Sequence, residues 1–225
     1  MRREHILKRQ GYIDYLKSLG CVFYCPFDGV SGTTDLINNV AMTVSGEGSI
    51  LYDSTLDMYR VQTPSSQGKH TGYWNNGITA SGTFPNNNFT TIYTIKKITS
   101  ANNKSIFGVS PYSDNFRTCQ ALNPNYNSTG GSSSWPSTVT KVAIAHNYTE
   151  SWRKLYQDGV LYTQASIFAQ FVPANWITSN SGLCLGRTPI DSNTSFQSVS
   201  EYIKDVYIFN TALDLGTIRS IQGFD

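Results

Sequence analysis

The sequence predicts an all-β fold, a two-sheet antiparallel jelly-roll sandwich with a short N-terminal helical arm. Ser, Thr and Asn supply 67 of the 225 residues, a composition typical of β structure with many turns rather than of long helices. Short segments rich in Val, Ile, Thr and Tyr recur between turn residues from residue 21 onward, as they do in β-sandwiches. At this length a sandwich can form a single domain with a sizeable core.

The overall composition excludes several broad classes of protein. Hydrophobic residues make up 39% and aromatic residues 13% of the chain, which is too much for a disordered protein. The net charge of +2 gives no extended field for nucleic acid, so we expect no nucleic-acid partner. No apolar run approaches the roughly 18–20 residues that span a bilayer, and no signal-peptide pattern follows the first residues. We therefore expect neither a membrane segment nor export.

Residues 1–19 form a separate N-terminal arm in this prediction. They carry five basic and two acidic residues, a net charge of +3, and their apolar side chains recur at roughly helical spacing. We predict a short amphipathic helix that is interrupted or bent near Gly11 and ended by Gly20. Two interpretations stay open, since the arm either docks on a partner protein or packs on its own domain. The residues that would carry docking are Arg2, Arg3, Ile6, Lys8, Arg9, Ile13 and Leu16.

Residues 20–225 are predicted to form one β domain. Asp158-Gly159 supplies two residues that tolerate positive φ between two apolar strands, which indicates a hairpin with a type I′ turn. We expect the segment 104–109 to pair with the strand before it across the Asn102-Asn103 turn. The predicted strands are 22–24, 89–98, 104–109, 139–146, 152–157, 160–163, 182–187 and 202–209. The side chains expected to face the core are those of Val142, Ile144, Leu185, Val206 and Ile208.

Several segments of this domain resemble the laminin-G-like, concanavalin A-type jelly rolls of the lectin and glucanase group. The similar segments are LYQDGVL at 155–161, LCLGR at 183–187, YIKDVYIFNTAL at 202–213 and FYCPFDG at 23–29. Their order and spacing match the family over about residues 20–225 and leave the arm outside. The resemblance implies a sandwich of two antiparallel sheets that closes with a short helix, whose first turn Asp214 can cap.

The acidic residues do not form the pattern that glycan cleavage requires. Enzymes on this fold resemble one another in a strand with the spacing Glu-x-Asp-x-Glu, because two carboxylates must flank the scissile bond. No such run occurs here, and Glu201 and Asp205 are too far apart on one predicted strand for that geometry. His146 is expected to be a packed residue at the edge of the core. We therefore expect no catalytic residues and no enzymatic activity.

Glycan binding on rim loops is common among relatives on this fold. It needs exposed aromatic rings with amides and carboxylates nearby. The candidate glycan-binding residues are Tyr73, Trp74, Asn75, Asn76, Tyr112, Asp114, Trp135, Tyr148 and Trp152. The alternative is that the tryptophans among them anchor loops in a half-buried state or contact a neighbouring subunit.

No cofactor is expected from the sequence. The four cysteines have no zinc-like spacing and are too scattered for a disulfide framework, so we expect small buried side chains. Calcium, which some relatives bind, needs several converging oxygens. Asp28, Asp114 and Asp191 are the candidate ligands, and their spacing forms no cage.

The low charge, the helical arm and the lectin-like sandwich are together typical of bacteriophage structural proteins. By analogy, we expect a non-enzymatic virion component, either an auxiliary or decoration protein of the head or a part of a fibre or tail. It would be assembled in the host cytoplasm and bind other virion proteins or copies of itself. The alternative is a carbohydrate-binding module that recognises a cell-surface glycan. A third hypothesis is a glycan-cleaving enzyme whose acidic residues are lost or moved.

Overall fold

A computed structural model gives the architecture of most of the chain. It describes residues 2–44, 48–62, 71–74, 88–98, 105–109, 137–166, 183–187 and 200–224. The helices are α1 (Arg2–Ser18) and α2 (Leu215–Gln222). The strands are β1 (Cys21–Cys25), β2 (Thr34–Asp35), β3 (Val40–Ala41), β4 (Thr43–Val44), β5 (Ser49–Asp53), β6 (Met58–Gln62), β7 (Gly72–Trp74), β8 (Phe89–Lys97), β9 (Ser105–Val109), β10 (Thr140–Asn147), β11 (Trp152–Gln157), β12 (Val160–Ser166), β13 (Leu183–Arg187) and β14 (Ser200–Phe209).

These strands form two packed antiparallel sheets. Among the described residues, the larger sheet has eight strands in the order β12-β11-β10-β8-β14-β6-β5, with β1 paired to β14 beside β6. The smaller sheet has four strands in the order β4-β7-β13-β9, and β2 and β3 pair separately. The predicted all-β sandwich with an N-terminal helix is confirmed.

The inner core lies between the two sheets. Alternate residues of the larger sheet face Trp74 and Leu185 of the smaller sheet. The five side chains predicted to face the core are each at most 1% exposed and belong to this cluster, which confirms their assignment: Val142, Ile144, Leu185, Val206 and Ile208. The clean period-two pattern of these strands made their inner faces predictable.

A second apolar cluster covers the outer face of the larger sheet. It joins Ile13 and Leu16 of α1 and Ile218 of α2 to sheet residues such as Tyr207 and Ile92. Leu16 is fully buried and Ile13 is 6% exposed. The described part of the arm's apolar face therefore packs on its own domain.

The helix α1 runs without a break through Gly11, so the interruption expected there is absent. One glycine inside a helix costs roughly 1 kcal/mol relative to alanine, and burial of Ile13 and Leu16 offsets such a cost. The end of the helix at Gly20 agrees with the sequence, because this residue adopts φ +83°.

Local turn and cap signals are confirmed where they were strongest. Asp158 and Gly159 both have positive φ, at 46° and 70°, in the β11–β12 hairpin. Asp214 caps α2 by accepting a hydrogen bond from the Thr217 amide at 2.8 Å, and the helix continues to Gln222.

The predicted partner of β9 is wrong. β9 does not pair with β8 but with β13 in the smaller sheet, where Phe107 lies opposite Leu185. β8 instead pairs with β10 and β14 in the larger sheet. The short spacing between β8 and β9 suggested a hairpin, and the chain crosses between sheets there instead.

Candidate functional site

Trp74 is the clearest correction to the glycan-binding prediction. Its side chain is fully buried in the inner core. The indole Nε1 donates a hydrogen bond to the Thr33 carbonyl oxygen at 2.8 Å, and Phe23 packs edge-on against the ring with centroids 5.0 Å apart. A ring enclosed in this way has no face for a sugar, so Trp74 is a core anchor.

The other rim candidates before Tyr148 come from two predicted loops, one with residues 73–76 and one with residues 112–135, of which the structure describes only residues 73 and 74. Tyr73 is half-buried beside Trp74. The remaining candidates of these loops lie outside the described residues: Asn75, Asn76, Tyr112, Asp114 and Trp135. Their role stays a prediction.

Tyr148 and Trp152 lie at the turn between β10 and β11. The backbone amide of Tyr148 donates to Asn88 Oδ1 at 2.7 Å, and the Tyr148 ring packs partly on the inner core. Trp152 Nε1 donates to Glu150 Oε2 at 2.6 Å, and Lys154 Nζ lies 4.2 Å from the centre of its ring. The lysine covers one face of Trp152, and the ring also packs against the outer cluster. Both aromatic side chains are therefore half-buried residues that anchor the turn, rather than rings freely available for stacking on a sugar.

The structure describes side chains for part of the predicted docking arm. Arg9 Nη2 donates to Ser31 Oγ at 2.6 Å, which ties the helix to the loop after β1. Ile13 and Leu16 belong to the outer cluster. The side chains of Arg2, Arg3, Ile6 and Lys8 lie outside the described residues. Docking of the arm on a partner stays a prediction.

A polar aromatic site that the sequence did not suggest forms at the turn between β5 and β6. We call it the hairpin tip. It brings residues of this hairpin together with residues of β14 that lie about 150 positions later in the chain. Its members are Tyr52, Asp53, Asp57, Tyr59, Tyr202 and Lys204.

Asp57 lies at the centre of the hairpin tip. Its Oδ1 atom accepts a hydrogen bond from the Tyr52 hydroxyl at 2.7 Å and one from the Gly29 amide at 3.4 Å. Its Oδ2 atom pairs with the Lys204 ammonium. The Asp57 side chain is nevertheless 50% exposed. A carboxylate has about four acceptor positions, so Asp57 retains capacity for a hydroxyl group that arrives from solvent.

Aromatic packing fixes the orientation of the Tyr52 ring. Tyr52 and Tyr59 face each other across β5 and β6 with ring centres 5.3 Å apart and planes inclined by 47°. Tyr59 in turn packs edge-on against the buried Phe27, at 6.0 Å. Tyr52 itself is 41% exposed. The result is an exposed tyrosine ring held on a rigid base.

Hydrogen bonding keeps both carboxylates of the hairpin tip ionised. The contact with Lys204, and then the bond from Tyr52, lower the pKa of Asp57. The bond from the Tyr202 hydroxyl at 3.0 Å lowers the pKa of Asp53. The same contacts raise the pKa of Tyr52 and Tyr202, so both hydroxyls keep their protons. The hairpin tip therefore presents charged acceptors and neutral donors at neutral pH.

Sequence reasoning missed this site because its parts are scattered. Asp53 and Asp57 match no recognised motif in the sequence, and nothing local links them to Tyr202 or Lys204. Only the pairing of β14 with β6, where Tyr202 lies opposite Arg60, brings these groups together. The usable local signal was the aromatic pair Tyr52 and Tyr59 around a tight acidic turn.

Asp28 and His146, two groups with metal-binding or acid–base potential, are engaged in structural contacts. Among the described residues, no group of three or more His, Cys, Asp or Glu side chains could hold a metal ion. Asp28, a candidate calcium ligand, caps its own turn by accepting from the Val30 and Ser31 amides. Burial holds the pKa of His146 well below its usual value, and its ring stacks on Phe89 at 4.1 Å. His146 is thus a neutral packed residue.

Cys21 and Cys25 are buried and free. This confirms their assignment as packed side chains. Neither described helix is long and apolar enough to cross a membrane.

No protein-family model and no curated protein matches the chain. Solved structures with a similar fold include one concerning botulinum neurotoxin type C, whose cell entry depends upon interaction with two ganglioside molecules. Its TM-score is 0.56 and its identity 13%, over 93% of this chain and 53% of that one. The botulinum neurotoxin serotype D/C binding domain gives 0.56 and 15%, over 92% and 52%. The binding domain of Paraclostridial Mosquitocidal Protein 1 gives 0.52 and 13%, over 90% and 51%.

These similarities concern the fold. The chain spans about half the length of the structures it matches. At such low identity, shared backbone architecture does not carry shared binding residues. The chain therefore has a β-sandwich fold that is also found in toxin binding domains.

Proposed function

We propose that this chain is a non-enzymatic recognition module that binds carbohydrate at the hairpin tip. The observation that carries the proposal is the exposed Tyr52 ring beside the half-exposed Asp57 carboxylate, joined by a 2.7 Å hydrogen bond. A sugar offers an apolar face of C–H groups and a rim of hydroxyl groups. An aromatic ring with a carboxylate at its edge matches both.

The rigidity of the hairpin tip favours binding. Tyr52 is held by Asp57 and Tyr59, so little side-chain freedom remains to be lost when a sugar stacks on it. Lys204 offsets the charge of Asp57, which suits a ligand that brings hydroxyl groups rather than a cation. These features support an uncharged sugar ring as the group bound at the tip.

The similar structures support the same proposal in general terms. One of them concerns a toxin whose cell entry depends on ganglioside molecules, and others are described as binding domains. A sandwich that serves recognition in those proteins is compatible with recognition here. Placement in a bacteriophage virion, with the arm docked on another virion protein, is a separate hypothesis that rests on the sequence alone.

The test compares two tyrosines of equal exposure. Tyr52 and Tyr15 are each 41% exposed, and Tyr15 lies on α1, outside the hairpin tip. We expect the full chain to bind at least one glycan on an array. Calorimetry should then show that Tyr52→Ala weakens this binding about tenfold, as the loss of a stacked ring would, while Tyr15→Ala leaves it unchanged.

Two further measurements make the result specific. Tyr52→Phe keeps the ring and loses the hydroxyl group, so it should retain more affinity than Tyr52→Ala. Incubation of the bound glycan with the chain should release no reducing ends, because the proposal is non-enzymatic. Equal binding by the Tyr52→Ala and Tyr15→Ala variants would show that the glycan does not bind at the hairpin tip. An array on which no glycan is bound would overturn the proposed function.

A further inference from the structure

One row of side chains crosses the outer face of the larger sheet beside the hairpin tip. Arg60 on β6 lies directly opposite Tyr202 on β14, and Tyr202 lies directly opposite Lys96 on β8. Leu51 on β5 extends the row beyond Arg60. Residues paired across neighbouring strands point to the same face of a sheet. We call this set the basic row.

The basic row is open to solvent. Arg60 is exposed, Leu51 is 63% exposed, and Tyr202 and Lys96 are partly exposed. The helix α1 contacts the other end of β14, where the hydroxyl groups of Tyr12 and Tyr207 lie 3.1 Å apart. Tyr207 and Tyr202 are five positions apart on β14, a distance of about 15 Å.

Among the described residues, neither Arg60 nor Lys96 has a carboxylate partner. Lys96 Nζ lies 5.8 Å from the centre of the Tyr202 ring, and Arg60 is close enough to Tyr202 to influence its pKa. The nearby carboxylates are engaged elsewhere, since Asp53 accepts from Tyr202 and Asp57 pairs with Lys204. In the described part of the chain, the ion pair found near the row joins Lys204 to Asp57 and includes neither Arg60 nor Lys96.

The spacing of the two cations fits a small anionic group. Arg60 and Lys96 are two strands apart, about 10 Å between Cα atoms, with the Tyr202 ring between them. A guanidinium can bind a carboxylate or sulfate through two parallel hydrogen bonds, and an ammonium adds a point charge. Leu51 supplies an apolar contact next to Arg60.

We propose that the basic row binds the carboxylate or sulfate group of an acidic carbohydrate. This rests on the proposed function, because the row shares the Tyr202–Asp53 hydrogen bond with the hairpin tip. Successive residues of a strand point to opposite faces, so Tyr52 and Tyr59 project from the other face of the β5–β6 hairpin than Leu51 and Arg60. Among the described residues β5 is an edge strand, so a glycan whose neutral ring stacks on Tyr52 passes around this edge to bring an acidic residue to Arg60 and Lys96. The row is one residue wide and the chain has a net charge of only +2, which disfavours a nucleic-acid backbone.

The experiment measures preference between matched glycans that differ in charge alone. Suitable pairs on an array are sialylated and desialylated, sulfated and unsulfated, and uronate and methyl-ester forms. We expect the full chain to bind the acidic member of at least one pair about tenfold more tightly than the neutral member in low salt. The Arg60→Gln/Lys96→Gln double variant should bind both members alike and keep the affinity for the neutral one.

Control variants separate the row from general charge. Lys17→Gln removes one exposed lysine on α1 and should leave the acid preference intact. Arg60→Lys keeps the charge and loses the two-pronged donor, so it should lower the preference in part. Melting of each variant by circular dichroism establishes that the fold is retained.

The outcomes distinguish this inference from the proposed function. If acidic and neutral members bind equally and Tyr52→Ala still loses binding, the role of the basic row is overturned. The proposed carbohydrate binding at the hairpin tip then stands. Absence of all glycan binding would overturn both. Displacement of the acidic glycan by a single-stranded RNA oligonucleotide that binds Arg60 and Lys96 more tightly would contradict the choice of ligand.

Discussion

At the scale of single residues, the buried carboxyl of Asp35 shows how one side chain connects separate segments. Asp35 is fully buried, and its Oδ1 atom accepts hydrogen bonds from the amides of Tyr24 at 3.1 Å and Ile37 at 3.0 Å. Its Oδ2 atom accepts from Asn38 Nδ2 at 2.6 Å. Burial raises the pKa of Asp35 to about 6, and these hydrogen bonds limit the rise.

The raised pKa predicts how Asp35 links stability to pH. An unfolded aspartate titrates near pH 4, so between about pH 4 and pH 6 the folded state holds a proton that the unfolded state has released. The contribution of Asp35 to stability is therefore present at low pH and is lost as pH rises through about 6. One pKa unit corresponds to about 1.4 kcal/mol, which bounds the loss at about 3 kcal/mol. Burial raises the pKa of Asp205 to about 6 as well, so it acts in the same direction.

The Asp35→Asn variant tests this linkage. An asparagine still offers an oxygen acceptor and does not titrate, so the variant should lose less stability than the native chain between pH 4 and pH 7. Chemical denaturation at each pH unit gives the two free energies of unfolding. Parallel pH profiles for the two proteins would contradict the prediction.

At the scale of elements, the accuracy of the sequence predictions depends on how local the determining contacts are. The β11–β12 hairpin and the α2 cap are set by Asp158, Gly159 and Asp214 within a few residues of the structure they determine. The partner of β9 is set by packing between the two sheets, and there the prediction failed. A strand's own sequence determines which of its side chains face the core. It does not determine which neighbouring strand completes its backbone hydrogen bonds.

Two glycines give an element-scale prediction with opposite signs. Gly11 is inside α1, and a Cβ atom added there would meet nothing within 4 Å. Gly11→Ala should therefore raise the free energy of unfolding by about 1 kcal/mol. Gly159 has φ +70°, and an added Cβ atom would lie 2.8 Å from Phe224 Cδ2. Gly159→Ala should lower the free energy of unfolding by about 1–2 kcal/mol from backbone strain alone.

Thermal or urea unfolding of both glycine variants checks this prediction. Because the two substitutions add the same methyl group, the difference between them reports backbone conformation and local space. A stabilised Gly159→Ala protein would show that the hairpin turn tolerates a side chain, against the observed φ. A destabilised Gly11→Ala protein would show that low helix propensity at position 11 does not limit the stability of α1.

At the scale of the whole molecule, the larger sheet packs against other elements on both faces. The smaller sheet and the inner core cover one face, and α1 and α2 cover part of the other through Leu16 and Ile218. The helix α1 thus contributes to the stability of the domain whether or not residues near its start also meet a partner. In the sequence, the boundary at residue 19 separates the helix from the sandwich. In the structure, buried contacts of Ile13 and Leu16 with the sheet cross this boundary.

Leu16→Ala measures the contribution of the helix to the domain. The side chain is fully buried, so the substitution should lower the free energy of unfolding by about 2–5 kcal/mol through lost burial and a new cavity. Lys17→Ala, an exposed neighbour on the same helix, should change it by no more than about 0.5 kcal/mol. An unchanged melting temperature for Leu16→Ala would show that the arm does not contribute to the stability of the core. It would favour an arm that serves docking alone.

The candidate site was less predictable than the fold. The rim aromatics Tyr148 and Trp152 were located correctly at a turn, and the structure uses much of their surface for packing and cation contact. Trp74 was expected at a rim and is buried, because its indole faces the other sheet and donates to Thr33. Exposure of an aromatic ring depends on the layer packed against it, which a single strand does not encode.

From the sequence alone one can predict the fold class, the inner faces of the main strands, the Asp158-Gly159 turn and the cap at Asp214. These follow from backbone preferences and from period-two burial, which act over a few residues. Tertiary structure alone decided that α1 packs on the sheet, that β9 joins β13, and that Tyr52, Asp57, Tyr202 and Lys204 meet. The physical reason is that strand pairing and sheet packing join residues far apart in the chain, and their energies depend on both partners at once.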